Sequence, residues 1–80
     1  MVSIPDDPEM LLTREALAEA LNAAGFPTSP ATLATKASRG GGPPFRKFGP
    51  RVLYTWGEAI EWAKSRLSVP MRSTSEADAA

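Results

Sequence analysis

The sequence contains neither cysteine nor histidine. Without them there is no disulfide framework and no thiolate or imidazole zinc site, so packing alone must hold the fold together. The usual nucleophile and base pairings of acyl transfer and metal-assisted hydrolysis are missing as well. The expectation is therefore a protein that is not an enzyme and takes no cofactor, metal or small-molecule ligand. No apolar run approaches the roughly 20 residues needed to span a membrane. The acidic start from Met1 to Pro8 also lacks the basic-then-apolar order of a signal peptide. A soluble, cytoplasmic protein without membrane contact is expected. Its 80 residues leave room for one compact domain.

A net charge is absent too, because nine Lys and Arg balance nine Asp and Glu. A zero balance argues neither for nor against nucleic acid. The distribution is more telling. No Asp or Glu lies between Leu21 and Gly57, whereas Lys36, Arg39, Arg46, Lys47 and Arg51 all fall in that window.

What is present is a periodic middle between two polar ends. Residues 1–10 and 69–80 are rich in proline, acids, serine and alanine, and are expected to be a disordered arm and tail around a domain at 11–68. Thr13 is a good N-cap, and Ala16, Leu17, Ala20, Leu21 and Ala24 form one stripe, so a first helix is expected from Arg14 to Ala24, ended by Gly25. Leu12 and Leu17 have the spacing of a hydrophobic staple. Ser29-Pro30 reads as an N-cap with proline at the first helical position, opening a second helix to Arg39 with Leu33 and Ala37 inward. Gly40-Gly41-Gly42 stops it.

Next, Phe45 to Phe48 and Arg51 to Tyr54 read as two strands around Gly49-Pro50, with a twist or bulge needed to bring Phe45 and Phe48 to one side. Thr55 and Glu58 have capping-box spacing and open a third helix from Trp56 to Leu67, whose inner face is Trp56, Ala59, Ile60, Ala63 and Leu67. The fold class expected is α+β, mainly α: a winged helix-turn-helix with three helices and a two-stranded β-hairpin wing.

In that fold the second helix enters the major groove of double-stranded DNA and the wing lies against the backbone. The outward face of the second helix carries Ala31, Thr32, Thr35, Lys36, Ser38 and Arg39. Thr32, Thr35, Lys36 and Arg39 are expected in the groove, with Lys36 or Arg39 positioned for guanine O6 and N7. Ser29 and Pro30 shape the helix start, where the first amides could hold a phosphate. Arg46, Lys47 and Arg51 are expected on the wing as phosphate contacts, with the minor groove as an alternative for Arg51. A competing reading is a protein-interaction adaptor that binds no DNA.

The stretches Leu12-Thr13-Arg14-Glu15-Ala16-Leu17-Ala18, Ser29-Pro30-Ala31-Thr32-Leu33, Gly42-Pro43-Pro44-Phe45-Arg46-Lys47-Phe48-Gly49-Pro50-Arg51-Val52-Leu53-Tyr54 and Glu58-Ala59-Ile60-Glu61-Trp62-Ala63 together resemble the excisionase and AlpA-like branch of the MerR superfamily. The resemblance implies DNA binding through the second helix and the wing. It also implies service as an excisionase that bends attachment-site DNA and steers a tyrosine integrase, or else as a transcriptional regulator. Copies would meet head to tail on repeated sites. Family members commonly have an aromatic residue and an arginine late in the second helix. This chain has Thr35-Lys36-Ala37-Ser38-Arg39 there, which implies modest base specificity. The triglycine link implies a wing that orders only on DNA.

Overall fold

A computed structural model of the chain describes residues 4–73. Its elements are β1 (Leu11–Leu12), α1 (Arg14–Ala23), α2 (Pro30–Arg39), β2 (Arg46–Phe48), β3 (Arg51–Thr55) and α3 (Trp56–Ser65). Together they make a small α+β domain, mostly helical, with an antiparallel sheet in the order β1-β3-β2. Met1 to Ser3 of the expected arm and Thr74 to Ala80 of the expected tail lie outside the described residues.

The helix starts follow from local side chains. The Thr13 hydroxyl accepts from the Ala16 amide at 3.2 Å, and the Ser29 hydroxyl accepts from the Thr32 amide at the same distance. Each satisfies a donor that has no partner within its helix. After α1, Gly25 takes φ +98°. That conformation lets the Phe26 amide reach back to the Leu21 carbonyl (2.7 Å) and the Gly25 amide to that of Asn22 (3.1 Å). These two bonds are the Schellman pattern, and they fold Phe26 back onto the core. The Asn22 side-chain amide then donates to the Ala18 and Thr28 carbonyls, which ties the α1–α2 turn to the end of α1.

Leu17 and Leu21 of α1, Leu33 of α2 and Tyr54 of β3 are fully enclosed. Around them Ala18, Ala20, Ala59 and Ala63 provide small surfaces where helices can approach closely, and Trp56 closes the cluster. Leu12 packs against this cluster, as its staple spacing anticipates. The hydroxyl of Tyr54 needs a partner when buried, and it accepts from Arg14 Nε at 3.1 Å.

Several expectations are corrected. In sequence Leu11-Leu12 reads only as the approach to the first helix. In the structure it forms β1, which pairs with β3 through Leu11↔Thr55 and Leu12↔Tyr54. The end of the arm is not separate from the domain, because the Trp56 and Gly57 amides donate to the Met10 and Pro8 carbonyls at 3.0 and 2.8 Å.

The capping box does not form. The Thr55 hydroxyl donates to the Glu58 carboxylate at 2.7 Å and makes no cap bond to the helix, so the acceptors at the start of α3 are the Met10 and Pro8 carbonyls rather than a side chain. α3 ends at Ser65 because the Arg66 and Leu67 amides bond three residues back, to Ala63 and Lys64. The tightened turn carries Leu67 off the stripe, leaving it 65% exposed.

The hairpin needs no bulge. Its register is Arg46↔Leu53, Lys47↔Val52, Phe48↔Arg51, with Gly49 at φ +61° opening a two-residue turn. Strand alternation puts Phe45 on the face of Tyr54, ring centroids 6.2 Å apart, and Phe48 on the opposite face.

Finally, the triglycine link is tethered. The Trp62 indole donates to the Gly41 carbonyl at 2.9 Å, Pro43 is buried, and a Cβ at Gly42 would stand 2.9 Å from that of Lys36.

Candidate nucleic-acid interface

Seven candidate residues lie on or at the start of α2. Leu33 is buried against α1, which turns the opposite side of the helix outward: Ala31, Thr32, Thr35, Ser38 and Arg39 are exposed. Ala31, Thr32, Thr35 and Lys36 line one shallow depression. Lys36 is half-buried, with Gly42 packed close against its Cβ. Lys36 and Arg39 occupy the last turn, where a positive charge also suits the helix dipole.

The α2 start is less open than expected. Pro30 has no amide hydrogen, Thr32 donates to the Ser29 hydroxyl and Leu33 to the Ser29 carbonyl, which leaves only the Ala31 amide of the first turn available for a phosphate. The Thr32 hydroxyl is itself paired with that of Ser29 at 3.0 Å.

The three hairpin cations separate. Lys47 stands on the face of Val52 and Tyr54, Arg46 and Arg51 on the other, and all three are exposed. Arg46 is turned back toward α3, where its guanidinium meets the Glu58 carboxylate at 3.5 Å. Arg51 sits next to the turn and borders a small depression with Arg14 and Glu15 at the start of α1. No acidic side chain lies on either hairpin strand or on α2.

No protein-family model, curated protein or solved structure matches this chain.

Two residues escape a reading of the sequence. Arg66, just past α3, lines the same groove as Thr32 and Lys36, and so adds a third cation beside the α2 face. Its signal is the basic end of α3, Lys64 and Arg66, which lies outside the acid-free window. The other is Phe48, 73% exposed next to the hairpin turn, whose place on a strand is legible but whose outward orientation depends on register. Among the described residues no cluster of acidic side chains could hold a metal ion, and no helix is long and apolar enough to cross a membrane.

Proposed function

We propose that this protein is a winged helix-turn-helix module that binds double-stranded DNA, with α2 in the major groove and the β2–β3 hairpin as the wing. The observation that carries this reading is the segregation of charge. Five cations in an acid-free window lie on the outer side of α2 and on the hairpin, while the acids among residues 4–73 lie on the arm, α1 and α3. A face meant only for solubility would mix both signs. Lys36 and Arg39 are the base-reading candidates, with Thr32 and Thr35 beside them. Lys47 and Arg51 contact phosphate, and Arg46 does so once it leaves Glu58.

Fluorescence anisotropy against duplex DNA from the gene's own genomic neighbourhood, with a scrambled duplex as control, tests the reading. Neutralising four or five phosphates gives a log–log salt slope of about −4. Absence of binding at low salt would defeat it and favour a protein adaptor.

Within this reading the protein serves as an excisionase rather than an enzyme. It bends attachment-site DNA, and a tyrosine integrase and neighbouring copies of the chain are its partners. The resemblance of the Gly42–Tyr54 segment to the excisionase and AlpA-like proteins supports this. An excision assay with the integrase, with and without the protein, is the test. A footprint confined to a promoter would make the protein a transcriptional regulator instead.

A further inference from the structure

We infer that Phe48 is a wedge that enters the duplex at the minor groove and partly unstacks one base-pair step. The inference rests on the DNA-binding reading and adds to it the group that deforms the DNA. Phe48 is 73% exposed although it belongs to a paired strand, and the adjacent Gly49-Pro50 turn adds no long side chain beyond it. Holding a phenyl ring in water forgoes the burial that normally stabilises such a residue.

The charges around the ring indicate what covers it. Arg51 is its cross-strand partner and Arg46 the next side chain on the same face, while Lys47 stands on the other. The hairpin itself carries no acid, the Glu58 carboxylate that reaches it being held by Arg46. A protein-binding apolar patch needs breadth, whereas on this face Leu53 is only partly exposed and Leu11 lies at the far end of the sheet, so at the tip of the ribbon a single ring stands beside Arg51. Cations that hold the phosphates and one apolar side chain that parts a step are the combination used by proteins that kink DNA from the minor groove.

The test uses the full chain and a duplex containing its footprinted site. 2-Aminopurine is placed at successive steps under the hairpin, and dyes at the duplex ends report bending by energy transfer. The native protein is expected to raise 2-aminopurine emission at one step and to shorten the end-to-end distance.

Phe48→Ala should abolish both signals and weaken binding about tenfold, as loss of one buried phenyl predicts. The salt slope should not change, because no charge is lost. Phe48→Leu should retain much of both signals. If Phe48→Ala binds with the emission and the bend intact, the wedge is refuted while DNA binding stands. If Phe48→Ala alters only the cooperativity between adjacent sites, the ring is a protein contact and the wedge is likewise refuted. If the native protein does not bind DNA at all, both this inference and the reading beneath it fail.

Discussion

At Tyr54 a single side chain joins a strand to a helix far away in sequence. Its ring is enclosed by the core, and its hydroxyl takes a hydrogen bond from Arg14, 40 residues earlier. Tyr54→Phe, which removes only the acceptor, should cost about 1 kcal/mol in urea unfolding. Tyr54→Ala should cost roughly 3–5 kcal/mol, the range for emptying an aromatic site.

The surface cations should behave differently from one another. On the proposed DNA-binding reading, Lys36→Ala with Arg39→Ala should narrow the gap between native and scrambled duplexes by about 1–3 kcal/mol for each base contact removed. Lys47→Ala or Arg51→Ala should instead weaken binding to both duplexes and reduce the magnitude of the salt slope by about 1. Arg46→Ala should change the slope less than either, since its guanidinium already faces Glu58. Anisotropy titrations of these variants at several salt concentrations separate the three patterns.

Among the elements, the helices are the most legible because their signals are local. Thr13 and Ser29 cap within three residues, Gly25 stops α1 within one turn, and the apolar stripes mark the buried sides. The start of α3 is legible for position but not for mechanism. The backbone acceptors at Pro8 and Met10 come from a segment whose composition suggests only a solvated arm.

Gly57 shows how close that segment lies, because a Cβ there would meet the Pro8 Cβ at 2.9 Å and its carbonyl oxygen at 3.1 Å. Gly57→Ala should therefore push the arm away and cost about 1–3 kcal/mol, the usual penalty of overpacking. A chain shortened to begin at Met10 should lose about 0.5–1.5 kcal/mol for the missing bond to the Gly57 amide. Chemical denaturation measures both. The link into the hairpin misleads for a similar reason: three glycines suggest freedom, but the tether comes from Trp62, 21 residues later.

For the molecule as a whole, the signs and positions of charges can be read from sequence, but their pairings cannot. The acid-free window is a property of the letters. That Arg46 leans on Glu58 and that Arg66 joins Lys36 are properties of the packed chain. Because all three helices and β3 share one core, the molecule should unfold as a unit, with tryptophan emission and far-ultraviolet circular dichroism giving coincident transitions.

The β1–β3 pairing adds a temporal consequence. The α1–α2 turn and the hairpin close over short distances in sequence, whereas Leu11 and Leu12 must wait for Tyr54 and Thr55. Non-local pairings incur their loop-closure entropy before any contact offsets it, so they are favoured late. During synthesis the first strand therefore stays without its partner until nearly the whole domain has left the ribosome. Gly57→Ala, which loosens this last seam, should accelerate unfolding in stopped-flow experiments and leave the refolding rate almost unchanged.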